Sequence, residues 1–381
     1  MDSFQFLDSA DIRNSASLRE AISSAVNGQA RIGVLVSGGL DSAAVLYLVS
    51  QIVSDPSRVV ALNASILDNE EKPSHHFAEK IVNSIDPDIE LHICYESDHQ
   101  PSWNHEGPRL DSAPQLNDQI YKLASEIGCT ILLTGNGADE ICAAPRFLFS
   151  RLARGGRIRG LLRYFQDTVA YSLEAAVLEP TAVLASAMPA AFSTRLYSKL
   201  CSPEDSWNPP EVLADEFKSE VATWSADWLA ELNMHRFAYD GRWAQLDAMD
   251  SLLPVAYDFA IKPVPVYSPF RDMNVMRSLL NTKLEDRYGE HHTNPYWRLK
   301  STIVDIFPER VLVELPNKKQ VYGSSLKQIQ HRDSFPSLGD AQIIKPSLIQ
   351  QGIRNRALAA RLDAMETWLS TALASGYRLV D

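Results

Sequence analysis

Arg31-Ile32-Gly33-Val34-Leu35-Val36-Ser37-Gly38-Gly39-Leu40-Asp41-Ser42 predicts a strand, a glycine turn and the start of a helix. The first six residues are short, β-branched and apolar, as a buried strand requires. Ala43-Ala44-Val45-Leu46-Tyr47-Leu48-Val49 follows with the composition of a helix. Two adjacent glycines let the backbone approach a ligand closely, and the amides that open a helix, at its positive dipole end, favour an anion. The guest this predicts is a phosphate. It is held neither by a Walker loop, which needs a Gly-Lys-Ser/Thr ending, nor by the dinucleotide fingerprint Gly-x-Gly-x-x-Gly.

Outward from this loop, 58–66 reads as a second buried strand and 74–85 as a helix. A third strand is expected at 89–93, a helix at 114–127 closed by Gly128, and a fourth strand at 130–134. Upstream, a lead-in helix over 15–26 ends at Gly28. Strands alternating with helices imply an α/β fold with a doubly wound parallel sheet, in which ligands sit beyond the carboxyl ends of the strands. Past residue 145 the alternation stops and helical spacing dominates. The expected organisation is therefore a lead-in at 1–30, a phosphate-binding α/β core at 31–145, and a largely helical region at 146–381. Within it, Arg151, Arg154, Arg157, Arg159 and Arg163 read first as a solvated helix face, 202–210 as a linker, and Trp207, Trp224, Trp228 and Trp243 as core.

Composition bounds the classes. The 381 residues carry 45% hydrophobic and 22% charged side chains, ordinary for a globular chain. A formal net charge of −12 argues against a nucleic-acid surface as the main partner. Cys94, Cys129, Cys142 and Cys201 are widely spaced, which indicates neither a zinc site nor a disulfide framework. There is no signal-like N-terminus and no apolar run long enough to span a membrane, so the expected location is cytoplasmic.

A second motif, Thr134-Gly135-Asn136-Gly137-Ala138-Asp139-Glu140, follows the fourth strand. Two glycines with acidic residues behind them, at a strand's carboxyl end, suit a magnesium-binding turn. Together, the Ser37–Ser42 loop and this Gly-x-Gly-Ala-Asp-Glu turn resemble the synthetase domain of the asparagine synthetase family, which includes β-lactam synthetases and lasso-peptide macrolactam cyclases, within the ATP pyrophosphatases. Tyr267-Ser268-Pro269-Phe270-Arg271-Asp272, Tyr296-Trp297-Arg298-Leu299-Lys300, Phe307-Pro308-Glu309-Arg310-Val311 and Lys318-Lys319-Gln320-Val321 resemble later segments of the same domain. The resemblance covers about residues 17–325. It departs from the family where no glutaminase half precedes the loop, where Asn136 replaces a glutamate or tyrosine, and where Tyr267 and Lys300 replace arginines.

The resemblance implies an adenine nucleotide α-hydrolase-like fold and an ATP-dependent C–N ligase that releases AMP and pyrophosphate. ATP is then cradled by Ser37, Gly38, Gly39, Leu40, Asp41 and Ser42, with Leu35, Val36, Ser65 and Ile66 near adenine and Gly135 and Asn136 on the second turn. Mg2+ falls to Asp41 and Asp139. The lysine that stabilises the tetrahedral oxyanion is Lys318 or Lys319. Expected partners are a carboxylate substrate and an amine, as small molecule or peptide, in natural-product or modified-peptide biosynthesis and by intramolecular closure in one version. A separate glutaminase or precursor peptide is a further expected partner. Two other classes stay open: a catalytically eroded scaffold or partner subunit, and another ATP pyrophosphatase such as a tRNA-thiolating enzyme.

Overall fold

The computed structural model describes residues 9–95, 101–109, 111, 113–144, 148–171, 209–224, 260–322, 334–345 and 356–378, with isolated positions between 173 and 192 and at 347. The chain divides into two compact units. The first comprises residues 1–102, 113–145 and 261–328, so the segment after 260 clusters with the sheet rather than with the helices that precede it.

In that unit, α1 (Ser9–Val26) leads into β1 (Ile32–Leu35), which turns into α2 (Leu40–Ile52). Then come β2 (Val59–Ser65), α3 (Ser74–Ile85), β3 (Glu90–Tyr95), α4 (Pro114–Glu126), β4 (Ile131–Leu133), the short α5 (Ala138–Cys142) and β5 (Val266–Tyr267). The five strands form one sheet in the order β3-β2-β1-β4-β5, and every pairing is parallel. This is the α/β doubly wound arrangement that the alternating pattern predicts. β1 pairs with β2 in the register Ile32↔Val59 and with β4 in the register Ile32↔Ile131. The chain runs from β1 to β2 and β3 on one side and then crosses to β4 and β5 on the other, which makes the crevice between the ends of β1 and β4 the expected ligand position.

The central strands are apolar on both faces because helices cover both faces of a parallel sheet. Ile32, Val34, Val60, Ala61, Leu62, Leu132 and Leu133 are fully buried, and α2 buries Leu40, Ala43, Ala44, Val45, Leu46, Leu48 and Val49. Truncating one of the leucines to alanine costs about 2–5 kcal/mol in such surroundings. A Cβ on Gly33 would stand 2.8 Å from a Leu132 methyl, so the β1–β4 contact leaves that strand position no side chain. β5 carries no periodic signal in the sequence: it is two residues long and flanked by Pro263, Pro265 and Pro269.

The second unit comprises residues 103–112, 146–260 and 329–381. Its described helices include Phe149–Arg154, Ile158–Tyr171, Pro336–Asp340 and Arg356–Ala374. Val212, Phe335, Leu338, Ile344, Leu362 and Leu369 form a buried cluster. The buried Glu366 carboxylate caps the helix Pro336–Asp340 by accepting the amides of Ser337 and Leu338, each at 2.9 Å. Trp224 is 64% exposed and so is not the core residue its aromatic character suggests. Trp207, Trp228, Trp243 and most of the 202–210 linker lie outside the described residues. No described helix is long and apolar enough to cross a membrane.

Candidate active site

The loop between β1 and α2 is braced by its own serines. Ser42 Oγ accepts the Ser37 amide at 3.1 Å and donates to the Gly39 carbonyl at 3.2 Å, while Ser37 Oγ accepts the Gly39 amide at 3.4 Å. Gly38 has φ +85°, and a Cβ there would stand 2.7 Å from Cβ of Phe77. Both the conformation and the space require glycine. Leu40 is fully buried, so its side chain belongs to the core and only its backbone amide can face a ligand. Val36 has a buried side chain, its amide donates to the Leu62 carbonyl at 2.8 Å, and its carbonyl accepts from Asn63 Nδ2 at 2.6 Å. Leu35 is half-buried.

The turn after β4 packs directly on this loop. A Cβ on Gly135 would lie 2.8 Å from the Ser42 nitrogen and 3.0 Å from the Asp41 carbonyl carbon. The absence of a side chain at Gly135 is therefore what lets the two turns touch. Gly137, at φ +91°, caps α5 in the left-handed conformation. Asn136 is exposed; its amide donates to Thr134 Oγ1 at 3.4 Å, and its carbonyl accepts the Ser268 hydroxyl. Tyr267, beside it, donates to Asp272 Oδ2 at 3.1 Å, and Asp272 caps the helix Met273–Asn281.

Lys300 closes the constellation. Its ammonium lies 2.7 and 2.8 Å from the two carboxylate oxygens of Asp41 and 2.5 Å from Asp139 Oδ1. The Lys300 side chain is 4% exposed, against 24% for Asp41 and 45% for Asp139. Burial pulls the ammonium toward neutrality, but the two carboxylates outweigh it and hold its pKa above the ordinary lysine value. Burial likewise pushes Asp139 up, and Lys300 with Lys319 more than reverses this, so Asp139 titrates below the usual carboxylate range. For Asp41, burial exceeds the pull of Lys300 and pushes the carboxyl up. Glu140, next along α5, is also pushed up by burial, with Asp139 and Asp41 adding to it.

Of the two adjacent lysines, Lys319 reaches the site, with Nζ 3.3 Å from Asp139 Oδ2. Lys318 pairs with Glu70 instead. Gln320 stands beside Gly38, and its amide nitrogen is buried without a hydrogen-bond partner. The Tyr322 hydroxyl lies 2.6 Å from Gln320 Oε1 and 3.2 Å from the Ser37 carbonyl. Ile66 has both backbone groups engaged by Ser74: its amide donates to Ser74 Oγ at 3.1 Å and its carbonyl accepts the Ser74 amide at 2.8 Å. Ser65 Oγ is 2.8 Å from His75 Nδ1, and the His75 ring meets Tyr95 edge-on at 5.8 Å. This puts two aromatic rings at the carboxyl ends of β2 and β3 that no motif announces.

Lys300, Gln320, Tyr322, His75 and Tyr95 are the site residues that sequence reasoning left out of its candidate set. The signal available for Lys300 was its place at the end of a matching segment. Cys94, Cys129 and Cys142 are buried free thiols whose pKa values burial pushes up, Cys142 to about 12. None of these three suits a thiolating nucleophile; Cys201 lies outside the described residues.

Comparison with known families gives one match: the family described as asparagine synthase matches residues 15–328. No curated protein matches the chain.

Proposed function

From the premise that the chain belongs to the asparagine synthase family, we propose that it adenylates a substrate carboxylate with ATP and passes the acyl group to an amine. The observation that carries this reading is the convergence of Asp41 and Asp139 on one cation, the Lys300 ammonium, at distances of 2.5–2.8 Å. A carboxylate pair that addresses a single positive charge at the carboxyl ends of β1 and β4 is also a fitting donor pair for Mg2+. When bound there, Mg2+ supplies positive charge to the departing pyrophosphate.

The rest is the work of the chain. A carboxylate oxygen attacks the α-phosphorus, the bond to the β-phosphate oxygen breaks, and pyrophosphate leaves. The amides of Gly38, Gly39 and Leu40, at the opening of α2, face the negative charge that accumulates. Lys300, now on the two carboxylates, adds its positive charge to the same anion when a polyphosphate gives its ammonium a new partner. The buried Gln320 amide nitrogen gains a partner if a phosphate oxygen arrives beside Gly38, which removes the cost of leaving that donor unsatisfied. The amine then attacks the acyl carbon, the carbon–oxygen bond to AMP breaks, and the amine proton is released. Lys319, the lysine nearer the carboxylates, stabilises the tetrahedral oxyanion. Asn136, exposed on the second turn, has no titratable group to take the proton. Closure of an amide within one molecule suits such a site, because a tethered amine needs little activation beyond position. We place the substrate in natural-product or modified-peptide biosynthesis on that ground.

A second reading, an eroded scaffold, draws on the same Lys300, which fills the space between the carboxylates with a cation of the protein's own. The test is pyrophosphate release from ATP and magnesium against a panel of carboxylates and peptides, with and without amines, and with Asp41→Ala as control. Substrate-dependent release that disappears in the control is expected. Silence across the panel, with no ATP binding by calorimetry, would overturn the catalytic reading and favour the scaffold.

A further inference from the structure

His291, His292 and Asp305 stand apart from the chemistry above. Among the described residues they form a group whose ligating atoms all lie within 4.8 Å of one another. His291 Nε2 is 3.1 Å and His292 Nε2 is 2.9 Å from the same carboxylate oxygen, Asp305 Oδ1. The other oxygen, Oδ2, accepts the Ser301 hydroxyl at 2.9 Å. We propose that this trio is a divalent transition-metal site, with zinc as the ion it fits and water as the fourth ligand.

Three features carry the assignment. The first is spacing. Tetrahedral zinc with bonds of about 2.0–2.1 Å separates neighbouring ligand atoms by about 3.3 Å, so the two nitrogen–oxygen distances lie within a few tenths of an ångström of what an inserted ion needs. The second is the donor set. Two imidazoles and one carboxylate select a zinc-like ion over magnesium or calcium, which take oxygen ligands. The third is the support around the ligands. Ser301 fixes the carboxylate from its far side, as outer partners of metal ligands do. The His292 side chain is 12% exposed and meets Trp297 edge-on at 6.3 Å. Its carbonyl and that of Thr293 accept from Arg298 at 2.9 and 2.8 Å. Gly289 passes so close to Ser301 that a Cβ would come within 2.4 Å of its side chain. The loop is thus fitted against the short helix Ser301–Val304 before any ion arrives, and His291, 63% exposed, leaves the outer side open to water.

The consequence reaches the neighbouring site through the chain itself. Ser301 directly follows Lys300, so an ion on Asp305 ties the 289–294 loop to the start of the helix that follows the buried lysine. The ion is structural in this position. It touches no reacting atom.

The test uses the full chain, stripped with a chelator and free of nucleotide, so that it stands independently of the synthetase reaction. Calorimetric titration with Zn2+ is expected to give one ion per chain, and Co2+ in its place is expected to give the visible absorption of a tetrahedral nitrogen–oxygen site. His291→Ala, at an exposed position that does not endanger folding, should weaken zinc binding by about tenfold or more, and His292→Ala further. Absence of zinc binding, or binding and cobalt absorption unchanged in both histidine variants, would overturn the assignment.

Discussion

Replacing Lys300 with methionine keeps the length of the side chain and removes its charge. The two oxygens now held at 2.7 and 2.5 Å from one nitrogen lie no more than about 5 Å apart, and at an effective dielectric of about 20 two unit charges at that distance repel by about 3 kcal/mol. Asp139 is 45% exposed, so solvent screening lowers the figure toward about 2 kcal/mol. Breaking a buried pair by removing one partner has a measured range of about 3–5 kcal/mol, and Asp41 is the more buried of the two carboxylates. The expected loss is therefore about 2–4 kcal/mol, read by denaturant titration of the two proteins. Its pH dependence has a definite sign. Asp139 titrates below the ordinary carboxylate value, so its contribution is present above that value and lost as pH falls through its folded pKa. Lys300 titrates above the ordinary lysine value, so its contribution is present below that value and lost as pH rises through its folded pKa. Asp41, which burial pushes up and which loses its ammonium partner in the variant, takes up a proton first, so the difference between the proteins is largest near neutral pH and shrinks as pH falls. A second signature is magnesium. Without nucleotide, millimolar Mg2+ should stabilise Lys300→Met and leave the parent protein unchanged, because only the variant presents two unneutralised carboxylates. Equal stability of the two proteins, or an equal response to magnesium, would refute the triad as the organising ion pair.

Lys319→Ala should lower the rate of amide formation more than Lys318→Ala does, since Lys319 is 3.3 Å from Asp139 while Lys318 pairs with the exposed Glu70. Single-turnover kinetics with the adenylated substrate would check this, and the reverse ranking would return the oxyanion role to Lys318. Gly135→Ala should raise the KM for ATP at least several-fold, because the new methyl stands 2.8 Å from the Ser42 nitrogen and must push the phosphate loop or its own turn aside. Calorimetric ATP binding unchanged in that variant would show that the contact between the turns does not shape the nucleotide site.

The parts of this arrangement that were legible in the sequence are those with local causes. The Ser37–Ser42 loop announces itself because two glycines and a following apolar helix have a phosphate rationale within a dozen residues. β1, β2 and β4 announce themselves because burial on both faces writes continuous apolar runs, whereas β3, at the sheet edge and mostly half-buried, shows instead the alternation Glu90-Leu91-His92-Ile93. Lys300 is different in kind. Its meaning lies in carboxylates 259 and 161 positions away, and no periodicity encodes that distance. Which of Lys318 and Lys319 stands nearer Asp139 is equally closed to the sequence, because adjacent side chains of one type differ only in where the backbone aims them. Ser65 and Ile66 fall at the expected strand end, but the Ser74 hydroxyl and amide that occupy the Ile66 backbone come from the next helix. Asn63, polar inside an apolar strand, is explained only once its amide is seen to bridge Val36 and Ser74.

The identity of residue 300 bears on how the site is loaded. An arginine, which the resemblance leads one to expect there, presents a planar fork of donors and would spread its charge over both carboxylates from one side. A lysine is a compact point charge, and its ammonium sits within hydrogen-bond reach of three oxygens at once. A magnesium ion bound by the same oxygens must come to about 2.0–2.1 Å of them, which the ammonium forbids while it stays in place. The protein without nucleotide therefore has no reason to collect magnesium. A magnesium ion carried in on a polyphosphate differs, because the phosphate oxygens give the displaced ammonium a new anionic partner in the same movement. In the proposed reaction Lys300 would then pass from the carboxylates to the departing pyrophosphate, and a metal held by Asp41 and Asp139 would supply the charge it leaves behind. On this logic the metal and nucleotide bind as one unit, and titrating magnesium at fixed ATP should give a single cooperative transition. Two separable binding events, with magnesium first, would mean that Lys300 does not guard the pair.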